Sequence, residues 1–439
     1  MEHIFIEQKK ILKKIKYFFS KEIKTNKTIS LNEYYYLCSW ADTYGNWCLK
    51  NLVNKDKNVF INFFYYIKYT IEYSLKDTFQ FENLGKISYK KYKNLIITYS
   101  NSKNLKKKNL YDNIFSTNIN NSKKTLWIII NADKDKISQL HKNVIIIQKK
   151  KNLFLLKPKF YFLLIKNLFL IIFFRRKLKE NIFINHIRST LNDILKSNKI
   201  INTYLAYESQ PHQHAIIQAL KENNQNINII GYLHSCLTPL PTDFFYKKYY
   251  EPDKLIVCGA TQKNILSNYL GWPKNKIAVS NSFRYIKKNK SNFSNKIYLS
   301  YSIGNPFKTF KKIEYLVNEI LKINFTFNVI NHPFMEKSSS HKKLSQLLKK
   351  FNKKTNNLNR DKTVTIVVGV SAIILEILEN GKDVFHICND SLFEAHSNKI
   401  WDKINVTELG VGFYHYSLKQ KGSIIKFGSK NQFKKKFDI

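Results

Sequence analysis

The chain has 439 residues, 44% of them apolar and 15% aromatic, which is more than one ordinary core holds and too apolar for wholesale disorder. Its formal charge of +43 comes almost entirely from Lys, because Arg occurs only at Arg175, Arg176, Arg188, Arg284 and Arg360. Those Lys are spread through every segment instead of forming the Arg-rich stripe that nucleic acid favours, so nucleic acid is disfavoured as a partner; a solvated surface remains, with some pull toward anionic lipid or a phosphorylated substrate.

In chain order, the N-terminal segment MEHIFIEQKKILKKIKYFF carries charge throughout and has no apolar h-region, so no secretory signal is read. Residues 1–90 read mainly as helices, among them 33–52, whose aromatic stripe of Tyr34, Tyr35, Tyr36, Trp40, Tyr44 and Trp47 is assigned to core. The five cysteines (Cys38, Cys48, Cys236, Cys258, Cys388) are scattered and form no CxxC pair, which excludes a zinc or disulfide framework and fits reduced thiols in the cytoplasm. From residue 91 the pattern changes to short apolar runs at 94–98, 125–130, 144–147, 203–207, 227–233 and 254–258, the lengths expected of buried parallel strands. The most apolar run, FYFLLIKNLFLIIFF at 160–174, is too short to span a bilayer and contains Lys166. It reads either as a buried helix or as an interfacial one, and its basic flank Arg175-Arg176-Lys177 favours peripheral contact with the inner membrane face. A helix at 213–223 sits between two of the strands, giving a βαβ unit.

Residues 283–293 are polar and basic with no period, and mark the connection between an N-terminal domain (1–285, Rossmann-like from 91) and a C-terminal domain (286–439). In the latter, strands at 297–302, 325–330, 363–368 and 384–387 alternate with helices at 307–322, 342–351 and 371–380. The expected class is α/β, with two Rossmann-like domains facing a central cleft and a helical N-terminal extension.

Ligands of open α/β sheets gather beyond the carboxyl ends of the strands, so the residues following each strand are the candidates. His332 precedes Pro333 and is therefore held extended at a strand tip, where an imidazole can hold a phosphate oxygen. Ser371 stands at an expected helix N-cap, five residues before Glu376, and Gly381 closes that helix. Ser302 and Gly304 follow the first strand of the same domain, where small residues permit close approach to a phosphate. In the N-terminal domain Glu208 follows a strand and can serve as general base, or pair with His234 at the neighbouring tip and hold two loops together. His212 lies on the same acceptor side; it and His214 are two apart, which points them to different sides of a helix, and no metal site is expected.

The segments YESQPHQHAIIQAL, IIGYLHSCLTPLPTDFF and PDKLIVCGATQKNILSNYLGWPKNKIAVSNSFRY resemble bacterial surface carbohydrate biosynthesis proteins of the glycosyltransferase type. The His332-Pro333 pair, with Ser371 and Glu376 downstream, is similar to the HP and serine motifs of two-domain (GT-B) sialyltransferases and polysialyltransferases. The resemblance implies that His332 and Ser371 contact the phosphate of a CMP-linked donor, that Glu376 binds ribose and that Glu208 is the base. Two departures stand out: the acidic motif of those enzymes ends in Gly, whereas Glu208 is followed by Ser209, and Ala372 stands where a second hydroxyl residue is usual. The implied function is a metal-independent, cofactor-free transferase that moves a nucleotide-activated sugar onto a glycan or lipid-linked glycan of the cell surface. The alternative is a non-catalytic glycan- or lipid-binding assembly partner with a degenerate transferase fold.

Overall fold

Apolar runs flanked by turn residues do become strands, and they assemble into two sheets. The computed structural model describes residues 2–25, 78–82, 92–100, 110–119, 124–131, 141–150, 165, 191–192, 194–196, 199–224, 226–248, 250–323, 326–332, 335, 338–354 and 363–437. The stripe at 33–52, nearly all of the run at 160–174, and Pro333 lie outside them.

The first sheet has eight strands: β1 (Thr78–Glu82), β2 (Asn94–Ser100), β3 (Thr125–Asn131), β4 (Val144–Lys150), β5 (Asn202–Tyr207), β6 (Asn228–Leu233), β7 (Lys254–Val257) and β8 (Ile277–Val279). Their order is β1-β4-β3-β2-β5-β6-β7-β8, parallel throughout except for β1 against β4. The chain walks outward from β2 to β4, then returns to lay β5 on the other side of β2, with Asn94 opposite Asn202 and Ile97 opposite Leu205. Such a reversal opens a crevice at the carboxyl ends of the two strands. The expected helical character of residues 1–90 holds for α1 (Glu2–Thr25) but not for β1, whose sequence TFQFE alternates with the two-residue period of a strand.

The second sheet has six strands: β9 (Lys296–Leu299), β10 (Asn328–Asn331), β11 (Thr365–Val368), β12 (Val384–Ile387), β13 (Ile404–Gly410) and β14 (Phe413–Leu418), in the order β10-β9-β11-β12-β14-β13. Four are parallel and repeat the reversal, here between β9 and β11. The antiparallel hairpin of β13 and β14 was not foreseen; β13 is half-covered, so its sequence lacks the continuous apolar run of the central strands.

Helices join the strands: α2 (Pro211–Asn223), α3 (Ala260–Tyr269), α4 (Pro306–Tyr315), α5 (Ser339–Lys354), α6 (Ile373–Glu379), α7 (Ser391–Glu394) and α8 (Gln432–Phe437). The helix expected at 307–322 stops at Tyr315 and widens into a π turn, Leu316–Ile320, in which Leu321 N donates to Leu316 O at 2.9 Å. No helix among the described residues is long and apolar enough to cross a membrane.

The two halves share one hydrophobic core, reached by both ends of the chain. On α1, Phe5, Ile11 and Leu12 are buried, and Gln8 Nε2 donates to the carbonyls of Leu392 and Ala395 at 2.9 Å, docking this first helix beside α7. At the other end, Phe433 and Phe437 of α8 pack on Tyr204 and Phe283, and Phe433 also on Phe115, beneath the first sheet. Between them the segment 422–428 is stitched to the first half: Lys426 N donates to Cys258 O and Ser282 N to Lys426 O, each at 2.7 Å. Gly259 has to be glycine there, since a Cβ would lie 2.1 Å from the Ile424 carbonyl oxygen. The connection at 283–293 is not merely polar, because Phe283, Tyr285 and Phe293 are buried in it.

Candidate functional site

The crevice of the first sheet is lined by the tips of β2, β5 and β6. Glu208, one residue past β5, sets Oε1 3.0 Å from Nε2 of His234, one residue past β6. The turn that presents Glu208 is held by a buried amide: Gln213 Oε1 accepts from Glu208 N and Gln210 N, at 2.9 and 3.0 Å, while its Nε2 donates to Ala206 O and Tyr99 OH, both at 2.6 Å. Ser209 takes φ +55, in the left-handed region where glycine is the usual residue. Its hydroxyl donates to Asp243 O at 2.8 Å and accepts from the buried Lys247 at 3.2 Å, fixing the strained turn. Beneath lies a buried network in which Lys247 stands 4.0 Å from Glu251, and Glu251 accepts from Tyr207 OH; burial pushes the Glu251 carboxyl up to about 7.

Burial alone would raise the pKa of Glu208. The charge and hydrogen bond of His234, the Ser235 hydroxyl and the charge of Arg284 outweigh it and hold the carboxyl below its ordinary value. Glu208 is therefore an ionised acceptor at neutral pH, only partly exposed. His234 is buried, with the Tyr99 ring at 6.0 Å. His212 lies on α2, and its side chain falls outside the description.

The tips of β9, β10 and β11 carry the second set. Ser302 and Gly304 are exposed in the loop after β9, with Gly304 at φ +67 beside the Asn389 side chain. Asn305 then caps α4, its Oδ1 accepting from Phe307 N at 3.0 Å and Lys308 N at 3.2 Å. His332 follows β10 directly, half-buried, with its ring edge-on to Tyr301 at 5.8 Å. Partial burial, then the charges of His341 and Arg284, lower its pKa. His341 of α5 was not singled out in the sequence; it is buried and bonds the Ser300 carbonyl at 2.8 Å, bracing the β9 loop.

Ser371 makes the capping contact expected of it: its hydroxyl accepts from Ile373 N, the first residue of α6, at 3.4 Å, and the intervening Ala372, at φ −63 and ψ −16, is already helical and offers no side-chain cap. Glu376 is nearly buried and paired with Lys288 at 2.8 Å, so any ribose there has to compete with an ion pair. Gly381, at φ +80, does close the helix. Gly369, at φ +73, lets β11 approach the β9 loop: a Cβ there would stand 2.4 Å from Ser300 Oγ and 2.7 Å from Ser302 O. Gly369→Ala is expected to cost about 1–3 kcal/mol of stability and to deform the loop carrying Ser302 and Gly304. Denaturant unfolding checks the first effect, and the nucleotide titration described below the second.

One cation reaches both sets. Arg284 is exposed between the buried Phe283 and Tyr285; its Nη1 donates to His234 O at 3.5 Å, and its charge is felt at Glu208, Glu376 and His332. Sequence reasoning passed over it as part of a basic connector. Its signal was an Arg in a Lys-rich chain, set between two aromatics.

Among the described residues, His386, Cys388 and Glu394 bring possible metal-ligand atoms within 4.8 Å of one another. The ring nitrogens of His386 already face Tyr416 OH at 3.2 Å and Gly369 O at 2.9 Å. Burial pushes its pKa down to about 4 and the Cys388 thiol up, as in a neutral core cluster supporting the Gly369 turn. Cys236, Cys258 and Cys388 are buried free thiols.

No family model matches the chain, and no curated protein matches it in sequence. Among solved structures it is similar to the crystal structure of a glycosyltransferase from Rickettsia africae ESF-5, at 11% identity over 70% of this chain and 81% of that one, with a TM-score of 0.36. A score of that size bears on neither fold nor activity. What stands on the geometry is a mixed α/β chain with two largely parallel sheets, each with a topological reversal and polar residues at its strand tips.

Proposed function

We propose that the chain is a glycosyltransferase of the GT-B kind, with units 1–285 and 286–439 facing one cleft and a nucleotide-activated sugar, CMP-linked by preference, as donor. The observation that carries this reading is the pair of reversals, β2/β5 and β9/β11, whose tips hold an acid–imidazole pair on one sheet and a glycine-containing loop with a histidine on the other. The acceptor is a surface glycan or lipid-linked glycan, and the charge of +43 favours work at an anionic membrane surface.

In this mechanism Glu208 Oε2 takes the proton of the acceptor hydroxyl while Oε1 stays bonded to His234, and the oxygen attacks the anomeric carbon in line. The bond to the nucleotide phosphate breaks, and the charge that develops on the leaving oxygen is met by an N–H of His332 and by backbone around Ser302 and Gly304. These groups make a divalent metal unnecessary. Ser371 lines the donor side next to them, and Glu376 reaches ribose only by exchanging Lys288.

A melting panel with CMP, CDP, UDP and GDP tests the reading: one nucleotide should raise the midpoint, and His332→Ala should weaken that effect about 10-fold or more. An anion bound beside His332 also reverses the depression of its pKa. Binding near the ordinary histidine value of about 6.5 should therefore take up a proton, visible by calorimetry in buffers of different ionisation enthalpy. A flat panel would leave the non-catalytic assembly partner as the better account.

A further inference from the structure

Arginine is scarce in this chain. Of 74 basic residues five are Arg, and Arg284 alone lies among the described residues. Its backbone is clamped in place: Arg284 N donates to Tyr232 OH at 3.2 Å and to Ser282 Oγ at 3.1 Å, and the neighbouring Tyr285 N also donates to Ser282 Oγ, at 2.7 Å. The side chain leaves this rigid base, stands 5.5 Å over the Tyr285 ring and reaches the carboxyl tip of β6. A guanidinium has five N–H donors. Among the described residues one of them makes a single long hydrogen bond, 3.5 Å to a carbonyl, and no carboxylate lies within ion-pair distance. Glu208 and Glu376 are near enough to be felt as charges, yet neither is paired with it: Glu208 is bonded to His234 and Glu376 to Lys288. The result is an exposed, mostly unoccupied fork on a fixed backbone, at the tip of β6 and close enough to His332 for its charge to act there.

A chain that uses Lys almost everywhere gains one thing from Arg at such a point, a planar pair of donors matched to two oxygens of one anion. We propose that Arg284 is the anchor of an anion-binding site in the cleft, and that the anion is a phosphate or diphosphate group held bidentately. On the reading given above, this is the phosphate of the nucleotide donor. Arg284 would then hold that charge against both halves of the molecule, next to the base on one side and His332 on the other.

The test titrates inorganic pyrophosphate and, separately, the four nucleotides of the melting panel into wild type, Arg284→Lys and Arg284→Ala, with binding read by calorimetry. Arg284→Lys keeps the charge and loses the fork. Wild type should bind pyrophosphate or a nucleotide, Arg284→Lys about 10-fold more weakly, and Arg284→Ala about 100-fold more weakly. Circular dichroism and melting midpoints of the free variants should match wild type, because the exposed side chain supports no core; if Arg284→Ala misfolds, the Lys variant decides. Pyrophosphate binding without any nucleotide binding supports the site and sinks the transferase reading. Nucleotide binding that both variants retain at full strength sinks the site and spares the reading. No binding of either ligand by wild type overturns both.

Discussion

Glu208→Gln is expected to lower turnover about 100- to 10,000-fold, the range lost with a positioned general base, while nucleotide affinity stays unchanged. The substitution is close to isosteric. The amide oxygen still accepts from His234, at the 3.0 Å the carboxylate shows, and the Gln213 brace binds the backbone of residue 208 and not its side chain. What disappears is the ionised oxygen that takes the acceptor's proton. The measurement is single-turnover chemistry with whichever donor the melting panel identifies, set beside a nucleotide titration of the same variant. In wild type the acid limb of the pH–rate profile should fall below the ordinary carboxylate range, since the pair keeps Glu208 ionised to lower pH. Unchanged turnover in Glu208→Gln would reduce the pair to a clasp between two loops.

The largest stability effect is expected away from these strand tips, at Glu379. This nearly buried carboxylate ends α6 and accepts three backbone N–H groups of the returning segment: Gly422 at 2.6 Å, Ile424 at 2.7 Å and Ile425 at 3.0 Å. Glu379→Ala leaves those donors without acceptors, Ile424 and Ile425 being fully buried residues, and should cost on the order of 3–5 kcal/mol by denaturant unfolding. Glu379→Gln keeps one acceptor oxygen and should fall between Ala and wild type. A loss below about 1 kcal/mol for the Ala variant would mean that water reaches the segment.

The fold was legible where the chain is simplest. Runs such as Ile128-Ile129-Ile130 and Val144-Ile145-Ile146-Ile147 have only one comfortable place, a parallel strand covered on both faces, and they took it. Edge elements were harder: β13 is half-covered and lacks a sustained apolar run, and β1 offers only five residues of strand-like alternation in a segment otherwise read as helical. The capping role of Ser371 was legible as a hydroxyl residue directly before an apolar helical run, and its hydroxyl does accept from Ile373 N. Strand-tip positions were legible: Glu208, His234 and His332 each stand one residue past a strand, and Ser302 and Gly304 lie in the loop after β9. Arg284 follows no strand tip. It comes to the tip of β6 through the path of the connection after β8, which local pattern does not encode.

The crossing of the two chain ends has a bearing on assembly. Tyr204, Phe115 and Phe283 keep an uncovered aromatic surface until α8 arrives with Phe433 and Phe437, although α8 is synthesised after everything it covers. Likewise α1 waits some 380 residues for its seat at Leu392 and Ala395. Neither half can mature on the ribosome ahead of the other. Nascent chains should carry that exposed aromatic surface until α8 emerges, the condition under which dependence on holding chaperones is strongest.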